Sequence, residues 1–114
     1  MNIVVLSGRL VREPELVRKG NGKARTRLVV AVDRNYVDEE KNRPVDFLAA
    51  TVWEKQAENA AKYLVKGQEV EIVGELRQNV WQDDEGTKHY GMDVVINEVR
   101  YGRKPMGNKE NNDG

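Results

Sequence analysis

The sequence predicts an all-β barrel of five strands with a single helix between the third and the fourth. Three observations predict it. Five runs rich in apolar and β-branched residues alternate with polar stretches containing Gly, Asn and Asp, as strands alternate with turns. Only one stretch repeats its apolar residues at helical spacing. The chain has 114 residues, which suits one core and is short for two.

The first strand is read in IVVLSGRLV, where Gly8 suggests a bulge or a sharp bend. EPELVRKGNGKA follows as a loop. The second strand, TRLVVAVD, puts Thr26, Leu28, Val30 and Val32 on one face and Arg27, Val29, Ala31 and Asp33 on the other, with Arg25 extending the second face. RNYVDEEKNRP is a long polar connection whose only aromatic residue is Tyr36.

VDFLAATVWEK is the third strand by its Val, Phe, Thr and Trp content. QAENAAKYLVKG carries Ala57, Ala60, Ala61 and Leu64 at i, i+3, i+4 and i+7, one helix face, and Gly67 stands where a C-cap belongs. The fourth strand, EVEIVGELRQNVW, sets Val70, Ile72 and Leu76 against Glu69, Glu71, Glu75 and Arg77. DDEG is a turn, and KHYGMDVVINEVRY is the fifth strand. From residue 103 onward the chain is mostly Gly, Asn and charge, so residues 1–102 are read as the folded domain and 103–114 as a disordered tail. Closing a small sheet removes its unpaired edges, and three strands, a helix and two strands is the order of the oligonucleotide-binding barrel, the OB-fold.

Composition excludes several function classes. With no cysteine there is no disulfide framework and no thiolate metal site. No stretch approaches the ~18 apolar residues of a membrane span, and the N-terminus lacks a basic leader with an apolar core. A cytoplasmic protein without a membrane partner is expected. His89 is the only histidine and Ser7 the only serine, so neither a His-pair metal site nor a serine triad is expected. GNGK at 20–23 lacks the spacing of a phosphate-binding loop and reads as a hairpin loop. Asp83, Asp84 and Glu85 lack the alternating ligands of a calcium loop. No catalytic residues, metal or cofactor are expected.

Net charge is zero, yet residues 1–34 hold eight basic and three acidic side chains. Such segregation can fold into a basic groove with an acidic back, although a mixed solvated surface fits the charges equally well.

The aromatic residues narrow the choice. Phe47 and Trp53 are an even number of residues apart, so strand geometry puts them on one face, roughly 20 Å apart, with only Ala49 and Thr51 between them. Leu48, Ala50 and Val52 remain to fill the core. The alternatives are that this assignment is inverted, or that the aromatics pack between subunits. Trp81 shares the odd-numbered face with Glu75, Arg77 and Asn79, and a turn centred on Glu85 and Gly86 would set it opposite Tyr90. Exposed aromatics beside Arg and Lys suit single-stranded nucleic acid, because every base offers a π-face and phosphates attract cations without regard to sequence.

GRLVREPEL, TVWEKQAENAAKYLVKGQEVEIVGELRQNVW and DDEGTKHYGMDVV resemble the DNA-binding domain of bacterial and phage single-stranded DNA-binding proteins over residues 1 to about 101. The resemblance implies a non-enzymatic coat for single-stranded DNA in replication, recombination or repair. It implies base stacking by Tyr36, Phe47, Trp53 and Trp81, and a homo-oligomer, most often a tetramer. Lys55, Lys66 and Arg77 match the family's basic positions, and Arg25 joins them on strand parity. Gln78, Asn79 and Val80 stand where relatives commonly carry positive charge, which predicts a shallower salt dependence. NKENNDG lacks the family's acidic, apolar-ended tip, so no repair or replication enzyme is expected to dock through the tail. The alternative is an adaptor like the primosomal replication protein, whose aromatics join chains.

Overall fold

The computed structural model describes residues 1–18, 20 and 22–106. Its strands are β1 (Val4–Leu10), β2 (Leu16–Arg18), β3 (Ala24–Asp33), β4 (Val45–Trp53), β5 (Glu69–Gln82) and β6 (Lys88–Tyr101), with helix α1 (Glu54–Tyr63) after β4. The hydrogen-bonded order β1-β5-β6-β4-β3 closes through a β1–β3 pairing, and β2 is appended to β3. This ring of five principal strands with one helix is the OB-fold.

The stretch read as a loop contains β2, which no local pattern in the sequence marks. Leu16, Val17 and Arg18 pair with Thr26, Arg25 and Ala24. Three residues are too few to show a period of two, and all three are exposed; the edge of β3 makes them a strand. Gly22, in the stretch between β2 and β3, has a φ of 85°.

Alternation sorts the side chains as expected. Thr26, Leu28 and Val30 on β3, Ala50 and Val52 on β4, and Ile72 on β5 are buried, while Arg27 and Phe47 on the alternate positions are exposed. The closing contact is at Gly8, where a Cβ would collide with the Ala31 carbonyl. Just past it β1 takes β3 as a second neighbour, Arg9 pairing with Ala31 while still opposite Glu69 of β5, and Leu10 pairing with Val30, at the bend that the glycine implied.

Helix α1 plugs the barrel with Ala57 and Ala60, and Leu64 just beyond it is also buried. The buried Thr26 hydroxyl donates to the Ala57 carbonyl at 2.8 Å, tying helix to barrel. Gly67 is not the helix cap. The helix ends at Tyr63, Leu64 is extended at its C-cap, and Gly67, at a φ of 87°, belongs to the next turn, in which Gln68 N–H bonds the Val65 carbonyl at 3.1 Å. The chain needs that extra turn to bury Leu64 before re-entering the sheet.

Past Tyr101, Arg103 O accepts from Glu69 N–H at 2.8 Å, and Pro105 lies against Gly67. Most of the tail expected to be disordered, residues 107–114, lies outside the described residues.

Candidate nucleic-acid interface

Side chains directly opposite in a sheet share a face. Trp53 is opposite Arg25, Thr51 opposite Arg27, Ala49 opposite Val29 and Phe47 opposite Ala31. The β3–β4 surface therefore carries two aromatics at its ends, small residues between them and two arginines alongside. Phe47 is 68% exposed, so its ring is not in the core, and the inverted assignment is ruled out. Trp53 is half-buried, at the junction of β4 and α1.

The outward face continues onto β5 and β6. Thr51 pairs with Val95, Val95 with Glu75, and Asp93, Gly91 and His89 with Arg77, Asn79 and Trp81. Beyond the barrel these strands run on as a two-stranded arm whose side chains from Leu76 to Tyr90 are all exposed.

Trp81 faces outward as parity demands, but its partner is not Tyr90. It stands opposite His89, and Tyr90 stands opposite Val80 on the other face. The turn explains the difference. Gly86 at a φ of 82° closes a loop over Asp84, Glu85 and Gly86, one residue longer than a two-residue turn, and one residue of slip exchanges the faces. Asp83 organises that loop: its Oδ1 accepts from the N–H groups of Glu85 and Thr87 at 3.0 and 2.9 Å, and its Oδ2 meets His89 Nε2 at 2.8 Å. Those bonds, His89 first, hold its carboxyl below the usual carboxylate range.

The His89 and Trp81 rings stack with centroids 5.5 Å apart and planes at 22°, and Trp81 also lies over Gly91, where a Cβ would come within 3.3 Å of the ring. The indole thus lies flat across the arm with one face toward solvent. The sequence shows His89 only as a lone histidine and gives Gly91 no role; the signal for their place beside Trp81 is the hairpin register.

Tyr36 sits in the β3–β4 connection. Its hydroxyl accepts from Arg34 Nη1 at 2.9 Å, and Arg34 also grips Asp46 through two bonds of 3.1 and 2.9 Å. Asp46 is held below its ordinary pKa by that arginine, whose own pKa is raised. The fork anchors an otherwise exposed ring.

The cations differ in setting. Arg25 and Arg27 line a cleft of about 250 Å³ with Arg12, Glu13 and Thr51. Arg27 also reaches a second cleft, of about 350 Å³, beside Phe47, so it belongs with the site as much as Arg25 does. Lys55 is exposed on α1, two residues after Trp53. Lys66 lies at the other end of β5 from the arm, where its N–H bonds Glu13 at 2.7 Å. Arg77 is paired with Glu75 at 3.0 Å. The structure brings Phe47, Trp53, Arg25 and Arg27 onto one surface, extends it to Trp81, and leaves Lys66 apart.

Residues 1–101 match the model of the single-strand binding protein family. The chain belongs to this family. It is 41% identical over 111 residues to a single-stranded DNA-binding protein of Clostridium tetani, covering 96% of this chain and 74% of that protein. A single-stranded DNA-binding protein of Halalkalibacterium halodurans is 36% identical over 109 residues, 96% of this chain and 64% of its own length. One from Bacillus cereus is 35% identical over 101 residues, 89% of this chain and 59% of its own length. The chain thus spans between 59% and 74% of the length of these family members. Among the described residues no group of His, Cys, Asp and Glu could hold a metal ion, and no helix is long and apolar enough to cross a membrane.

Proposed function

We propose that this protein binds single-stranded DNA with little sequence preference and coats it during replication, recombination or repair, in a bacterial cytoplasm or that of a phage host, without catalysing a reaction. The observation that carries this reading is the continuous outward surface on which Phe47 and Trp53 flank Ala49 and Thr51 beside Arg25 and Arg27, and which runs on across β6 and β5 to Trp81. Bases stack on those rings and on Tyr36, each stack contributing roughly 1–3 kcal/mol. Arg25, Arg27 and Lys55 attract the backbone, while Lys66 and the paired Arg77 contribute less.

Self-assembly, most simply as a tetramer, is part of the proposal. Ile3, just before β1, and Val5 on it are more than half exposed, and Val5 has Val73 as its cross-strand neighbour. An exposed apolar patch of this kind favours a second copy.

Tryptophan fluorescence titrated with oligothymidylate at low salt tests the reading: strong quenching is expected, and its absence overturns stacking. Alanine at Phe47 and Trp81 separates DNA binder from adaptor. Loss of binding with the oligomer intact is expected; a broken oligomer would favour the adaptor.

A further inference from the structure

β4 and β6 are paired only at Ala50–Val94 and Thr51–Val95. Toward their N-terminal ends the two strands part, and the 350 Å³ cleft lies in the gap. Phe47, Leu76 and Met92 line it, the last of these 73% exposed. Its charged groups are Arg27 and Asp93. The volume is at the lower end of small-ligand pockets, and the cleft is continuous with the stacking surface through Phe47, Arg27 and Thr51.

A carboxylate here is unexpected on a surface that attracts phosphates. Its natural mate is Arg77, directly opposite on the ladder, but Arg77 Nε is bonded to Glu75. Among the described residues Asp93 has no hydrogen-bond or ion-pair partner. An ionised carboxylate only accepts hydrogen bonds. Cytosine offers it an exocyclic amino group, as adenine and guanine do, and carboxylates accept from cytosine N4 in duplex recognition too. Thymine flanks its single N–H with two carbonyl oxygens, which a carboxylate repels.

We propose that this cleft receives one base of the bound strand and that Asp93 makes it favour bases with an exocyclic amino group over thymine. The inference rests on the single-strand-binding reading above and adds a preference to an otherwise sequence-tolerant track. Asp93 is exposed, so its replacement leaves the core intact.

The test compares oligodeoxycytidylate and oligothymidylate of equal length, at one salt concentration, for the wild type, Asp93→Ala and Asp93→Asn. Removing a negative charge tightens phosphate binding for both strands alike, so the ratio of the two affinities is the readout. In Asp93→Ala the cytidylate-to-thymidylate ratio is expected to fall by about threefold or more, less than a bidentate base contact supplies. Asp93→Asn, which keeps an acceptor oxygen, is expected between alanine and wild type. An unchanged ratio in all three proteins, each still binding, overturns this proposal and leaves the single-strand reading standing. A wild type that binds neither strand overturns both.

Discussion

Trp81 shows how much of an exposed ring's usefulness lies in its neighbours. His89 covers one face of the indole and Gly91 lets it lie flat, so a single face is presented without further ordering on binding. Ordering a side chain at an interface costs roughly 0.5–1.5 kcal/mol, and a ring already held avoids much of that. Gly91→Val is therefore informative. Valine suits a strand, so the fold should persist, but its methyl groups would lift the ring. Affinity for oligothymidylate is expected to drop by up to the roughly 1–3 kcal/mol of one stacked base, with weaker quenching of Trp81. An unchanged titration would show that the supported geometry does not matter. The tryptophan was evident in the sequence as an outward aromatic, whereas its supporters depended on a turn one residue longer than a two-residue loop.

At the scale of the element, the arm is an extension of β5 and β6 on whose outward face one arginine, Arg77, stands among the carboxylates of Glu75 and Asp93. Arg77 is held by Glu75 at 3.0 Å, and Gln78, Asn79 and Val80 follow. Both side chains of the pair retain access to solvent, so the pair itself adds little stability. Its larger effect is on what the arginine can attract. Glu75→Gln is expected to tighten binding at low salt and to steepen the slope of log affinity against log salt by up to about 0.7, one additional phosphate neutralised on a single strand. Arg77→Ala is expected to change the slope little. Titrations across a salt series measure both, and a Glu75→Gln slope equal to wild type would mean that the arm does not touch the backbone.

For the whole molecule, the track depends on a barrel that stays closed while its outer face is used. Closure rests on the crossing at Gly8, and the helix is fastened by the Thr26 hydroxyl on the Ala57 carbonyl. Thr26→Val removes that hydroxyl in a fully buried site and with it one hydrogen bond to a carbonyl inside α1, at a cost of about 0.5–1.5 kcal/mol. A lower urea midpoint with an unchanged slope is expected; an unaltered midpoint would show that the bond is not needed to seat α1.

The sequence by itself determined the five principal strands, the helix and the outward face of Phe47, Trp53 and Trp81, because those follow from periods of 2 and 3.6 that any local stretch displays; the face of Tyr90 depended on the turn and was misplaced. Phe47, Trp53 and Trp81 were legible for that reason, as was the core of Leu28, Val30, Val52 and Ile72. Tertiary structure decided what depends on partners far along the chain. It made Leu16–Arg18 a strand by offering it the edge of β3, and moved Gly67 from a helix cap to a turn so that Leu64 could be buried. It set Trp81 against His89 and parted β4 from β6 to open the cleft at Asp93. Ladder register and the closure of a sheet join residues dozens of positions apart, and no local periodicity records those pairings.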